Sequence, residues 1–143
     1  MRFELPAEKT QVFDMVLPMR WGDMDAYGHI NNTVYFRYFE SLRVDWLLSL
    51  GRPLQDGGSG PVVVNAFCSY LRQVTYPGEL RARLYVGQQG RSSMETFFTL
   101  ERSDEPGITC AEGGATMVWM DFATGRSTPM PDWLRQAACP AAD

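Results

Sequence analysis

One segment dominates what this chain can fold into. Residues 33–50, TVYFRYFESLRVDWLLSL, form its only long stretch with helical periodicity. Tyr35, Tyr38, Phe39, Leu42, Trp46 and Leu50 recur at the i, i+3, i+4, i+7 spacing of one helix face. Val34, Phe36, Val44, Leu47 and Leu48 widen that face until the polar remainder is Arg37, Glu40, Ser41, Arg43, Asp45 and Ser49. A helix this apolar is mostly buried. Asn31 or Asn32 can cap its start, and Gly51 stands where a left-handed C-cap belongs.

Strands surround this helix in sequence. Positions 11–21 read as a first strand, with Phe13, Met15, Leu17 and Met19 on the face expected to meet the core. Residues 22–32 are small, polar and turn-forming, as is the Gly- and Pro-rich stretch 52–61. Four further strands are predicted at 61–74, 80–89, 93–103 and 108–122, separated by short turns. The tail carries a short helical piece, DWLRQAA. Strands in tight succession favour antiparallel pairing. One greasy helix has to be covered by the sheet they make. The expectation is an α+β fold: an antiparallel five-stranded sheet wrapped around one long central helix. With 143 residues and no internal repeat or linker, one domain spans 1–143. The outer sheet face and the edge strands still need cover, which predicts a homo-oligomer.

Composition removes several functional classes. The net charge is −4, so nothing suggests a nucleic-acid partner. There is one histidine, His29, and the three cysteines (Cys68, Cys110, Cys139) form no CxxC pair. No metal site of His/Cys type is therefore predicted. An odd cysteine count fits a reducing compartment. The start, MRFELPAEKT, lacks the apolar run of a secretory signal, and no stretch is apolar enough to span a membrane. A cytoplasmic protein is the expectation.

Chemistry concentrates in Trp21–Glu40, WGDMDAYGHINNTVYFRYFE. Asp23, Asp25, His29, Asn31 and Asn32 crowd into a loop ahead of the buried helix. Asp25 can be a turn residue bonding nearby backbone N–H groups. The alternative is a general base or nucleophile beside a helix N-terminus, whose free N–H groups polarise a carbonyl oxygen. His29 reads as a loop histidine or as a partner of Asp25. The asparagines read as caps, and Asp23 as a solvent-facing or loop-supporting residue.

The stretch WGDMDAYGHINNTVYFRYFESLRVDWL resembles the signature of hotdog-fold acyl-CoA thioesterases of the 4-hydroxybenzoyl-CoA thioesterase-like superfamily. It is similar to the branch reading D-x-D-x-x-G-H-x-N-N-x-x-Y, with F-E and R on the helix. DFATGRSTPMPDWLR is similar to the family's last strand, T-G-R turn and Pro-rich end. The resemblance implies a hotdog fold, hydrolysis of an acyl-CoA to acid and CoA, no cofactor, and a site between the subunits of a homodimer or homotetramer. It makes Asp25 the catalytic carboxylate. It puts Asn32 where a helix-start backbone N–H holds the thioester carbonyl. His29 matches a residue implicated in plant acyl-carrier-protein thioesterases. Asn31 and Tyr27 are added as substrate-binding, Tyr27 lining the pocket. Glu40 and Arg43 are expected to form a structural pair. For the CoA phosphates the candidates are Arg72, Arg81, Arg83, Arg91 and Arg102, with Arg91 singled out in the turn Gly90–Ser93. Acyl-pocket length is expected to depend on Phe36, Phe39, Trp46 and Phe67. The rival readings are a hotdog hydratase or dehydratase, whose motif has Asn-Pro where Ala26, Tyr27 and Gly28 stand, and a non-catalytic acyl-CoA binding module.

Overall fold

The computed structural model describes residues 3–55 and 57–139. Strand β1 (Thr10–Pro18) leads through a single 3-10 turn at Trp21–Asp23 to helix α1 (Val34–Ser49). Strands β2 (Ser59–Tyr70), β3 (Glu79–Gln89), β4 (Ser93–Arg102) and β5 (Thr109–Asp121) follow. The two-residue strand β6 (Arg126–Ser127) and the short helix α2 (Asp132–Ala137) close the described chain. The sheet order is β1-β3-β4-β5-β2, antiparallel throughout, with β6 on β5. This is the hotdog arrangement expected from the sequence. The sixth strand is the difference, and it is merely the return of the T-G-R turn.

Alternation builds the concave face. Leu80, Ala82, Leu84 and Val86 of β3 are buried, as are Met94, Thr96, Phe98 and Leu100 of β4. Tyr35, Tyr38, Phe39, Leu42, Trp46 and Leu47 of α1 are buried too, packing into one core with these strands. The Phe39 ring stacks on Phe98 at 4.5 Å between centroids. Gly113 leaves room for this: a Cβ there would collide with the Phe67 carbonyl and crowd the Phe39 ring. On β1, Leu17 and the following Met19 are buried while Asp14, Val16 and Pro18 are exposed, as the period-2 reading required. Gly51 adopts φ +73 just past the end of α1, the left-handed cap predicted for it.

The sheet leaves part of the helix open: Phe36 is 38% and Leu48 51% exposed. Strand β2 is an open edge of the sheet and exposes Val62, Val63 and Val64. Two expectations need correction. Glu40 does not pair with Arg43. It takes an ion pair from Arg37 at 2.7 Å, and the Arg43 guanidinium lies over the Phe98 ring instead. Phe67 does not join Phe36, Phe39 and Trp46. It belongs to the face turned away from α1 and packs on Phe3 at 5.3 Å. Among the described residues, no helix is long and apolar enough to cross a membrane.

Candidate active site

The loop between β1 and α1 is a small hairpin. Met24 and Ile30 form an antiparallel bridge, Asp25 N–H donates to the His29 carbonyl, and Gly28 N–H donates to the Asp25 carbonyl, each at 3.0 Å. Gly28 has φ +80, so the turn ends in the left-handed conformation that glycine accepts without strain. The G of the G-H dipeptide is thus a turn requirement. Ile30 N–H then donates to Val74 O at 2.8 Å, docking the loop on the segment after β2.

This turn holds the Asp25 carboxylate in one orientation. Tyr27 N–H donates to Oδ1 at 2.9 Å, and Asn31 Nδ2–H donates to Oδ2 at 3.1 Å. The Asn31 amide is itself fixed, because its Oδ1 accepts both Thr33 N–H (3.0 Å) and Thr33 Oγ1–H (2.6 Å). Asn31 therefore does two jobs. Its oxygen holds Thr33, the residue just ahead of α1, and its nitrogen aims Asp25. Each carboxylate oxygen keeps a lone pair for a further partner. Asp23 supports the loop: its Oδ2 accepts the Tyr38 hydroxyl at 2.7 Å and Arg20 N–H at 3.1 Å. Burial first, and then the Asp23 carboxylate, push the Tyr38 hydroxyl far above the ordinary tyrosine range, so it stays a donor.

Just ahead of α1 most backbone donors are engaged. Asn31 N–H goes to Asp23 O, Thr33 N–H to Asn31 Oδ1 and Val34 N–H to Asn31 O. Among the described residues, no acceptor meets the N–H of Asn32. Asn32 and Asp25 line the same cavity, of about 320 Å³, together with Tyr27, His29, Ile30 and Tyr35. Tyr70, Leu71, Arg72 and Gln73 supply its other wall, from the end of β2 onward. Tyr27 is 87% exposed at the rim. A carboxylate and a free helix-start N–H at one half-open cavity can activate a nucleophile and hold a developing oxyanion.

Of the predicted residues, Asp25, Tyr27, His29 and Asn32 line this cavity, and Asn31 reaches it through Asp25. Arg91 does not come near it within one copy. Ser93 pairs with Val118 but Tyr70 pairs with Ala111, which puts the Arg91 turn about 23 Å away along β5. Three other candidate arginines are engaged elsewhere: Arg81 with Asp14, Arg83 with Glu101, and Arg102 with Asp104 and the carbonyls of Thr75 and Pro77. Arg72 is the cation at the cavity. Sequence reasoning missed Ile30, Tyr35, Tyr70, Leu71 and Gln73 as site residues. Only the register that sets the end of β2 beside the start of α1 brings the last three there.

Known proteins place this geometry in a family. The family model for the thioesterase-like superfamily matches residues 19–138. The uncharacterized protein YsmA of Bacillus subtilis is 30% identical over 114 residues, covering 80% of this chain and 76% of its own. The solved structure of the PA2801 thioesterase candidate of Pseudomonas aeruginosa superposes with a TM-score of 0.86 at 41% identity, over 91% of this chain and all of that one. Slr0204 of Synechocystis, named a 1,4-dihydroxy-2-naphthoyl-CoA thioesterase, shares the fold with a TM-score of 0.82 at 17% identity, covering 89% and 95%. With residues 19–138, the helix-start loop among them, matched by the family model, the protein belongs to the thioesterase-like superfamily.

Proposed function

We propose that this chain is an acyl-CoA thioesterase, adding water to a CoA thioester and releasing a free acid and CoA. The observation that carries the reading is the meeting of the oriented Asp25 carboxylate and the unpaired Asn32 N–H at one cavity. The thioester carbonyl oxygen would accept the Asn32 N–H, which lies at the positive end of the α1 dipole. Asp25 then either takes a proton from an attacking water or adds to the carbonyl itself to give an anhydride that water cleaves. Both routes expel the CoA thiolate, and neither needs a cofactor. Arg72 at the cavity wall supplies a positive charge for the CoA phosphates. The name of the Synechocystis relative supports CoA thioesters as the class and puts aryl-CoA compounds among those to try.

The test is a panel of acyl-, enoyl- and aryl-CoA compounds followed by thiol release, enoyl interconversion and binding. Thiol release supports the reading. Interconversion of enoyl and hydroxyacyl forms, or binding without turnover, would replace it by a hydratase or a binding module. Within that assay His29→Ala is expected to lose less than Asp25 variants, about tenfold, because its ring lines the cavity but holds neither Asp25 oxygen. A defect as deep as that of Asp25 would promote His29 to an equal role.

We further propose a homodimer, or a homotetramer built from it, in the cytoplasm. Support comes from the open β2 edge and from the direction of α1, whose start lies by Tyr70 and whose end lies by Pro61. Antiparallel pairing of two β2 edges would set the Pro61 end of each copy against the Tyr70 end of the other. The Arg91 turn lies at that Pro61 end, so a second copy can bring Arg91 toward the CoA. Arg91→Glu is therefore expected to raise the KM for acyl-CoA several-fold with little change in kcat. An unchanged KM would remove Arg91 from the site.

A further inference from the structure

We propose that Tyr70 is a positioning residue for the thioester carbonyl, acting by holding the Asn32 peptide at the start of α1. The proposal rests on the thioester-hydrolase reading. It starts from a bond that joins two distant parts of the chain. The Tyr70 hydroxyl, on the last residue of β2, donates to the Asn32 carbonyl oxygen at 2.7 Å. The Tyr70 ring meets Tyr35 of α1 edge-on at 5.0 Å. Strand end and helix start are thus clamped together beside the cavity that both residues line.

The clamp matters because of where Asn32 sits. It precedes the first regular turn of α1, where backbone groups lack the i−4 partners that stiffen a helix interior. Its N–H lies in the Asn31–Asn32 peptide plane, and the neighbouring Asn32–Thr33 plane limits how far that plane can turn about the Asn32 φ and ψ bonds. One plane is fixed by Val34 N–H donating to Asn31 O at 3.0 Å, a bond that also polarises the Asn31–Asn32 amide and strengthens its N–H as a donor. The other plane, Asn32–Thr33, is fixed on its N–H side by Asn31 Oδ1 and on its carbonyl side by Tyr70. Tyr70 is the only one of these holds that comes from outside the loop and helix. A donor held in place before the reaction needs no reorganisation as negative charge develops on the carbonyl oxygen. Burial is the main reason the Tyr70 hydroxyl is pushed up to about 12, so it remains a proton donor across the working range of pH.

Tyr70→Phe keeps the ring against Tyr35 and removes the hydroxyl, with its bonds to the Asn32 carbonyl and the Cys68 side chain. The expected result is a kcat lower by about tenfold to 100-fold, with KM and the thermal midpoint little changed. Tyr76→Phe, at an exposed tyrosine outside the cavity, serves as the control and is expected to match the wild type. A second readout does not depend on turnover. A CoA ketone, with a methylene in place of the thioester sulfur and a 13C carbonyl, is bound to each protein. The carbonyl resonance is expected to move downfield on the wild type and less so on Tyr70→Phe. A Tyr70→Phe kcat within twofold of wild type, or a carbonyl shift equal in the two proteins, overturns the proposal. A rise in KM alone also overturns it, since that makes Tyr70 a simple binding contact. Wild-type protein that releases no thiol from any thioester sinks the hydrolase reading itself. Active wild type with an unaltered Tyr70→Phe sinks only the role of Tyr70.

Discussion

Asp25→Asn is expected to lower kcat for acyl-CoA hydrolysis at least about 100-fold, with the fold retained. The variant is close to isosteric, and its remaining oxygen can still accept Tyr27 N–H as Oδ1 does now. Its new amide group would face Asn31 Nδ2, which cannot turn round because Asn31 Oδ1 is held by two Thr33 donors. Two donors would then oppose each other at a partly exposed position, a cost of about 1 kcal/mol. That is small beside the stability of a domain and separable from catalysis by a thermal melt. Asp25→Ala would remove both acceptors and loosen the turn as well, so the Asn variant gives the cleaner reading. Hydrolysis near the wild-type rate in a folded Asp25→Asn protein would take the carboxylate out of the mechanism.

The second large effect is expected at the open edge of the sheet. Val64 is 55% exposed on β2, and a lysine there would leave the chain's own core untouched. Lysine on an edge strand opposes pairing with another edge, because pairing would strip water from its ammonium group or drive two such groups together. Val64→Lys is therefore expected to sediment as single copies where the wild type sediments as a dimer or larger. Circular dichroism should remain that of a folded protein. Hydrolysis should fall at least about tenfold, since the Tyr70 wall of the cavity lies on the strand that the partner would brace. A wild-type protein that is monomeric and fully active would overturn the dimer. A variant that dissociates without losing activity would show that each copy holds a complete site.

How far the sequence reached differs between the fold and the site. Strand and helix positions were legible to within a few residues because each has a strong local period. The apolar i, i+3, i+4 series marks α1, and the alternation of Leu80, Ala82, Leu84 and Val86 marks β3. Departures came where a neighbour in space decided the outcome. Glu40 had two arginines within helical reach, and the pull of Phe98 on Arg43 left it to Arg37. Phe67 lies apart from Phe36, Phe39 and Trp46, on the other face of β2, past a bulge between Val63 and Asn65 that shifts the strand's alternation. The loop was the best-read part of the site. Asp25, Tyr27, His29 and Asn32 sit within eight consecutive positions, so a short hairpin has little choice but to gather them. Of the opposite wall only Arg72 was named from the sequence, and Tyr70, Leu71 and Gln73 were not legible.

What the sequence determined by itself is the local chemistry: one amphipathic helix too apolar to stand alone, strands to cover it, and a carboxylate-bearing turn at the helix start. These follow from the residue period, from Gly28 in a left-handed turn and from Asn31 bonding Thr33 two residues on, all set within a few residues. Only the tertiary structure decided that β2 lies at the sheet edge and ends beside Asn32. Tyr70 and Asn32 are 38 residues apart, and their meeting depends on strand order and register. No local period encodes that register. It is fixed by the pairing of the strands and the burial of their apolar faces against α1, and so it is visible only once they are in place.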